Sequence, residues 1–332
     1  MKYVYVLVSN ENDYYYEQAL ISVASLRLYM KEAEVIVLTD NRTNKNLTDK
    51  RAGLSKLAQI VSIDFEESVP NVDRSRLIKT SIPDYVKDDF LYIDCDTVIC
   101  SSLEEIENKN LYPMSLGGVL DGHVMLDNHI HKKYFLERDK KLRFSGTKAA
   151  GCNFNGGLLL ARQCELTERF FKFWNEKWKY SAYQKNDKHD QSALNEANFQ
   201  TGMKIQELPG EWNCQPSHGG LAFLENAKII HYYSSEMTSK VYVPYYKLAD
   251  KKLQQTIKDT GIISEDIMHM IKNAKFQFNK VHLVSDKRIE SIMQSPLLFT
   301  LADIQSHAPR FFAAIENFTG LLRKAGKKIR KN

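Results

Sequence analysis

The sequence is poor in cysteine and has no long apolar run, and both features narrow the classes of protein to consider. Its five cysteines, among 332 residues, form an odd set without a CxxC pair, so neither a disulfide framework nor a cysteine zinc site is indicated. Apolar stretches such as 156–161 fall far short of the ~20 residues that a membrane-spanning helix needs. No signal-peptide pattern precedes the first strand pattern. We therefore expect a soluble, cytoplasmic protein with reduced thiols.

Positive charge is concentrated at one end of the chain. The formal net charge is only +5, and the last ten residues hold six basic side chains and no acidic one: Arg323, Lys324, Lys327, Lys328, Arg330 and Lys331. The rest of the chain is close to neutral, so no nucleic-acid partner is expected. At 43% hydrophobic residues, the chain is long enough for one large domain and an appendage.

Short segments rich in Val, Ile, Leu and Tyr alternate with helical patterns over most of the chain. Ala19, Val23, Leu26 and Met30 recur at helical spacing between the first two strand segments, with Asp13 as a possible N-cap. Such a β–α–β unit implies parallel strands. The predicted strands are 2–9, 34–40, 90–96, 115–121, 154–161 and 227–233.

Strand patterns almost vanish after Tyr246, where helical patterns take over. We expect an α/β domain over 1–245, with a mostly parallel twisted sheet flanked by helices, and a helical C-terminal extension over 246–332.

The segment FLYIDCDTVI, at 90–99, ends a buried strand pattern in two acids, Asp94 and Asp96. Ligands of open α/β sheets bind at the carboxyl ends of strands, and two carboxylates there can converge on one hard cation. Such a cation would neutralise a diphosphate leaving group. Alternatively, the acids cap the following turn, with Ser101 and Ser102 nearby.

A haloacid-dehalogenase-type phosphatase is a second alternative, because its nucleophilic Asp also ends an apolar strand, in the pattern DxDxT. Here Thr97 follows Asp96 directly, one place too early, and the motif lies nearly a hundred residues into the chain. Both features argue against the phosphatase.

An ordered series of motifs surrounds the two acids: RSRLIKTSIP, FLYIDCDTVI, SLGGVLD, NFNGGLLLAR, HDQSALN, LPGEWNCQP and IIHYYSS, between 74 and 235. The series resembles the retaining family 8 glycosyltransferases of GT-A fold, which include bacterial lipopolysaccharide galactosyl- and glucosyltransferases and glycogenin. The resemblance covers roughly the first 240 residues.

The resemblance implies a metal site made by Asp94 and Asp96, the DxD motif, with His231 as the third ligand. An imidazole beside two carboxylates suits Mn²⁺ better than Mg²⁺. The resemblance also implies residues that contact the donor sugar or the reacting carbon: Asp121, Asn155, Gly156, Gly157, Asp190 and Gln191. Of these, Asp190 and Gln191 form the catalytic pair, and Asp94 is shared between the metal and the ribose. Independently, Asp190 has the position of an ordinary helix N-cap.

The diphosphate contact is left open among Arg76, Lys79 and Lys240, because the sequence departs from the family pattern at these positions. Lys79 stands where many members have Arg, and Lys240 is later than the expected Lys. The segment from Ser9 to Tyr15 corresponds to the uracil-binding region, where Tyr15 could stack on the base.

The implied activity is transfer of a hexose, glucose or galactose, from a UDP-sugar to a glycan or lipid-linked saccharide, with retention of anomeric configuration. The contrasting hypothesis is a non-catalytic sugar-nucleotide-binding protein of the same fold.

Apolar side chains recur at helical spacing before the basic cluster at the end of the sequence: Phe311, Phe312, Ile315, Phe318, Leu321 and Leu322. This pattern indicates either peripheral contact with the inner face of an anionic membrane or a helix packed on the catalytic domain.

Overall fold

The computed structural model describes residues 1–129, 131–233, 246–278 and 296–329. The chain forms two compact units, Met1–Phe278 and Asn279–Asn332. The first contains the sheets and most of the helices. In its described part, the second consists of two helices.

The described strands form two sheets. They are β1 (Lys2–Leu7), β2 (Glu34–Asp40), β3 (Gln59–Ile63), β4 (Phe90–Ile93), β5 (Thr97–Ile99), β6 (Leu116–Leu120), β7 (Phe154–Ala161), β8 (Ile205–Glu207) and β9 (Ile229–His231). Across the described residues, the main sheet has the order β3-β2-β1-β4-β7-β6-β8, and β5 pairs with β9 in a small second sheet. Neighbours in the main sheet run parallel except at β7, which is antiparallel to both β4 and β6. The sheet is therefore mostly parallel, as predicted.

Both faces of the main sheet are buried. In β1, Tyr3, Tyr5 and Leu7 belong to one hydrophobic cluster, whereas Val4 and Val6 belong to the cluster on the other side. Successive side chains of a strand point to opposite faces, so an unbroken apolar segment is what a sheet covered on both sides requires.

Helices cover both faces. The helices of the first unit are α1 (Tyr15–Tyr29), α2 (Asn41–Lys45), α3 (Asn71–Lys79), α4 (Ile82–Tyr85), α5 (Lys132–Leu142), α6 (Gly146–Ala150), α7 (Glu165–Lys179), α8 (Gln191–Gln200), α9 (Lys251–Thr260) and α10 (Glu265–Lys272). The predicted N-cap of α1 was wrong by one position, because Tyr14 occupies it. The carboxylate of Asp13 nevertheless accepts the backbone N–H of Tyr15, the first residue of the helix, at 3.2 Å. It also accepts the Ser9 hydroxyl at 2.6 Å and the Asn10 backbone N–H at 2.8 Å.

Residues 246–278, which we expected in the C-terminal extension, pack within the first unit. Tyr246, Leu248, Ile257 and Ile271 are fully buried in the same cluster as the apolar side chains of α1, and α9 and α10 both contact α1. α1 is therefore buried by the sheet on one side and by these later helices on another.

The second unit contains α11 (Pro296–His307) and α12 (Pro309–Ile329), which pack against each other. The helices in the described part of the chain all lack the combination of length and apolarity that crossing a membrane demands.

Candidate active site at the carboxyl end of β4

The strand predicted over 90–96 ends earlier, at Ile93, and the chain turns sharply between β4 and β5. The backbone N–H of Asp94 donates to the Gly157 carbonyl at 2.8 Å, which ties this turn to β7. In the second sheet, Thr97 is paired with His231, and the Tyr232 N–H donates to the Asp96 carbonyl at 3.1 Å. The register of β5 and β9 therefore brings His231 beside the two acids.

Asp94, Asp96 and His231 form a cluster in which one ligand atom of each residue lies within 4.8 Å of the other two. Nε2 of His231 is 3.3 Å from Oδ1 of Asp96. Burial disfavours a charged imidazole, but Asp96 and Asp94 outweigh it and raise the pKa of His231. The cluster thus attracts positive charge.

A hydrogen-bonded asparagine orients the imidazole of this cluster. Asn213 donates its amide N–H to Oδ1 of Asn155 at 3.0 Å, which turns its own Oδ1 toward Nδ1 of His231, 3.1 Å away. Nδ1 therefore carries the proton, and Nε2 keeps a free lone pair on the side of Asp96. This is the arrangement a metal-binding histidine needs.

A cavity of about 460 Å³ adjoins the acids. Its polar lining includes Asn10, Asp13, Tyr15, Asn71, Ser75, Arg76, Asp94 and Asp96. This volume lies in the range of small-molecule sites. Ser9, predicted to contact the ligand, is buried beside the cavity, where its backbone N–H donates to the Thr43 hydroxyl at 2.9 Å.

The two candidate diphosphate cations on α3 differ in exposure. The Arg76 side chain is 34% exposed and lines the cavity, whereas that of Lys79 is 4% exposed. Nζ of Lys79 lies 2.9 Å from Asp190 and 3.3 Å from Asp94. Lys240, the third candidate, lies outside the described residues.

Asp190 immediately precedes α8, but its side chain does not cap the helix. One carboxylate oxygen faces Nε of Arg76 at 3.2 Å, and the other faces Lys79. Burial opposes ionisation, yet these two cations hold the pKa of Asp190 well below its usual value. Gln191 follows as the first residue of α8, half-buried.

Two of the sugar-contact residues expected from the motifs, Asp121 and Asn155, are hydrogen-bonded to each other. Asp121 follows β6 and accepts the Asn155 amide at 2.9 Å. The side-chain Oδ1 of Asn155 in turn accepts the Gly157 backbone N–H at 2.9 Å. The side chains of Asp121, Asn155, Asn213 and His231 therefore form one continuous network that reaches the cluster of Asp94, Asp96 and His231.

The model of glycosyl transferase family 8 matches residues 6–237. The chain belongs to this family. General stress protein A of Bacillus subtilis (strain 168) is 25% identical over 191 residues, which are 53% of this chain and 59% of that relative. The chain thus spans less than two thirds of the relative's length.

Among solved structures similar to this family 8 chain is that of the bifunctional glycosyltransferase WbbM. It is 17% identical, with a TM-score of 0.50, and the match covers 82% of this chain and 51% of WbbM. The galactosyltransferase LgtC, in complex with donor and acceptor sugar analogues, is 14% identical, with a TM-score of 0.49, and the match covers 81% of this chain and 99% of LgtC. At these identities the likeness concerns the fold, which is GT-A.

Several residues of this family 8 site were not singled out from the sequence. The sequence indicates Asp13 only as a helix cap, although it lines the cavity. Asn213 lies in the motif LPGEWNCQP, which by itself assigns no role to that residue. No sequence motif indicates His129, whose Nε2 lies 3.4 Å from Asp121. Of these three residues, Asn213 alone could have been found from the sequence, because it is a polar residue inside a recognised motif.

Proposed function

We propose that this protein is a metal-dependent hexosyltransferase that transfers glucose or galactose from a UDP-sugar to a glycan or lipid-linked saccharide. The observation that carries the proposal is the convergence of Asp94, Asp96 and His231 beside a cavity of about 460 Å³. Membership of family 8 supports the reaction class. A structural role for the two acids alone would not require the third ligand or the cavity.

The donor atoms of the cluster fit a divalent cation. Two carboxylates and an imidazole with a free Nε2 lone pair favour Mn²⁺ over Mg²⁺, which prefers oxygen ligands. When bound, the ion would neutralise charge on the diphosphate and so ease departure of UDP. Asp94, at the cavity edge, is also proposed to contact the ribose.

The cavity lining suits the nucleotide. Tyr15 offers an exposed ring for stacking on uracil. Arg76 is our candidate for the diphosphate, because its guanidinium faces the cavity and can donate two hydrogen bonds. Lys79 is paired with Asp94 and Asp190. It would therefore attract the diphosphate electrostatically without contacting it. We also propose Lys240 as a candidate for contact with the diphosphate.

We assign recognition of the hexose to Asp121, Asn155 and the Gly156–Gly157 backbone, and the reacting carbon to Gln191, with Asp190 beside it. An amide is a poor nucleophile, so a covalent glycosyl-enzyme is not favoured. We propose a front-face transfer, in which the bond from the anomeric carbon to the diphosphate breaks as the acceptor oxygen bonds to the same face. The acceptor proton passes to a diphosphate oxygen, and the configuration is retained.

The decisive experiment measures UDP release from UDP-glucose, UDP-galactose and their N-acetyl forms, with Mn²⁺, with Mg²⁺ and with EDTA. We expect release to require the metal and to be abolished by Asp96→Ala. Asp64→Ala is the matched control, because Asp64 is exposed at the end of β3. Full activity in EDTA would contradict the metal-dependent mechanism.

The same samples separate the alternatives. Metal-dependent UDP-sugar binding without UDP release, with or without added saccharide acceptors, would favour the non-catalytic binding protein. Phosphate release from a simple phosphomonoester, without any action on UDP-sugars, would favour the phosphatase.

We also propose that the protein is cytoplasmic and touches the inner face of an anionic membrane through its C-terminal helix. Phe311, Phe318 and Leu321 of α12 are each at least 60% exposed, and the basic cluster follows them in the sequence. Each Lys or Arg near an anionic surface adds about 1 kcal/mol of binding energy. Cosedimentation with anionic vesicles at low salt, but not with neutral vesicles, is the expected result; equal behaviour with both would contradict the proposal.

A further inference from the structure

His129 is a buried histidine with no role in the function proposed above. It is 6% exposed, and its ring packs on Phe135 with 4.8 Å between ring centroids. A buried imidazole needs partners for both ring nitrogens. What these nitrogens face therefore indicates what the residue does.

The backbone fixes the tautomer of His129. The N–H of His131 donates to Nδ1 of His129 at 3.0 Å, so Nδ1 is an acceptor and carries no proton. The neutral ring must then hold its proton on Nε2. Nε2 makes no hydrogen bond to a described residue, and the polar atom that it faces is Oδ2 of Asp121, 3.4 Å away.

Asp121 therefore has a polar contact at each oxygen: Oδ1 accepts the Asn155 amide N–H at 2.9 Å, and Oδ2 lies 3.4 Å from Nε2 of His129. Contacts from two sides restrict the rotation of a carboxylate, which otherwise turns freely about its last bond. They also favour the ionised form: Asp121 is buried, yet its pKa is lowered, because the contacts with His129 and Asn155 outweigh the effect of burial.

The turn after β6 leaves space for this contact. Gly122 has a φ of +64°, and a Cβ at this position would lie 2.8 Å from Nε2 of His129. Only glycine adopts this backbone conformation without strain and also lets the imidazole approach the carboxylate. The contact is thus built into the backbone as well as into the side chains.

We propose that His129 is a positioning residue: its Nε2–H holds Asp121 in the orientation that distinguishes one donor hexose from its epimer. The inference rests on the proposed function, because it needs a UDP-hexose in the site. Glucose and galactose differ in the direction of one hydroxyl, so a carboxylate with a fixed orientation can favour one, whereas a freely rotating one accepts both.

The first test is the pair His129→Phe and His129→Gln in the full-length protein with Mn²⁺. Phenylalanine keeps the ring packing and removes the N–H, whereas a glutamine amide can place an N–H near the position of Nε2. We expect His129→Phe to leave UDP affinity within about twofold. Its ratio of kcat/KM values for UDP-glucose and UDP-galactose should shift about tenfold toward unity, the effect of one lost contact of about 1.4 kcal/mol. His129→Gln should recover most of the discrimination.

The matched control is His131→Phe. His131 belongs to the same aromatic cluster, but its side chain is exposed. The substitution keeps the backbone N–H that donates to His129, so the discrimination between UDP-glucose and UDP-galactose should be unchanged. A double-mutant cycle completes the test. If His129 acts through Asp121, the effect of His129→Phe on UDP-hexose affinity should disappear in an Asp121→Asn background.

The outcomes separate this inference from the function on which it rests. A wild-type protein that binds UDP but discriminates between no hexoses, or a His129→Phe variant with unchanged discrimination, overturns the role of His129 alone. The same holds if glutamine is as damaging as phenylalanine, or if the effect persists in Asp121→Asn. A wild-type protein that neither binds nor turns over any UDP-hexose overturns the proposed function itself.

Discussion

Gly156 and Gly157 are adjacent, but their surroundings make different demands on them. A Cβ at Gly157 would lie 2.3 Å from Cε1 and 2.7 Å from Nδ1 of His231, which is closer than atoms approach in folded proteins. At Gly156 the nearest atom would be Nζ of Lys79 at 3.5 Å, an ordinary contact. Gly157 is therefore required by the close approach of His231, whereas the protein itself leaves room for a methyl group at Gly156.

We predict that Gly157→Ala lowers Mn²⁺ affinity by about ten- to a hundredfold, the usual effect of disturbing the groups that orient a metal ligand. Gly156→Ala, the matched control, should leave Mn²⁺ affinity nearly unchanged. Titration of Mn²⁺ into each variant, followed by calorimetry, measures the difference. Equal affinities would mean that His231 is not held against Gly157.

At the residue scale, the sequence indicated the groups that stand inside recognisable motifs, such as Asp94, Asp96 and His231. It could not indicate the partners that orient them. The tautomer of His231 depends on Asn213, and the orientation of Asp121 involves His129, which is supplied by a loop with no readable pattern. Contacts of this kind are set by tertiary packing, for which local sequence carries no periodic signal.

At the scale of elements, α3 and the start of α8 are linked by ionic contacts. Lys79, in the last turn of α3, and Arg76, one turn earlier, both face Asp190. Because Lys79 and Asp190 are buried, each depends on the other for compensation of its charge. We infer that this link holds the beginning of α8, and with it Gln191, in place.

We predict that Lys79→Met lowers the free energy of unfolding by roughly 3 kcal/mol, since it removes a buried partner of Asp190 and Asp94. Arg76→Gln, at the more exposed position, should cost less stability but weaken UDP binding by about tenfold or more, because a charge-assisted hydrogen bond is lost. Urea unfolding and UDP titration of both variants test this division of roles. The reverse pattern would identify Lys79 as the diphosphate contact.

Most strands were predictable from their apolar patterns, but three were not. The strands β1, β2, β4, β6, β7 and β9 lie within the predicted segments, whereas β3, β5 and β8 were not predicted as separate strands. β5 and β8 have three residues each, too few to establish a period of two. The antiparallel direction of β7 was also unpredictable, because direction follows from the connections and not from the strand's own residues.

In the whole molecule, the change from strand patterns to helical patterns does not mark the boundary of the catalytic unit. The strand patterns end near residue 246, but the hydrophobic core does not: Tyr246, Leu248, Ile257 and Ile271 are fully buried. The first compact unit accordingly extends to Phe278. A helix that contributes to the core of a sheet domain looks the same in sequence as one that starts an extension.

We predict that a chain ending at residue 278 folds and keeps wild-type Mn²⁺ and UDP affinity within about twofold. A chain ending at residue 245 should be severely destabilised, because each of the buried side chains that it lacks contributes about 1.5–3 kcal/mol. Thermal unfolding and UDP titration of the two proteins provide the comparison. A stable, UDP-binding chain of 245 residues would contradict the boundary at 278.

The wall of the cavity beside Asp94 and Asp96 is braced by α9. Nζ of Lys258 donates to the carbonyl of Asp13 at 2.8 Å, and the Tyr14 hydroxyl donates to Gln255 at 2.8 Å. Because synthesis proceeds from the N-terminus, the ribosome makes this loop early and its brace some 240 residues later. His231, the proposed third metal ligand, is also made late. We therefore expect the proposed UDP site to be complete only near the end of translation, after all described strands of the main sheet have been made.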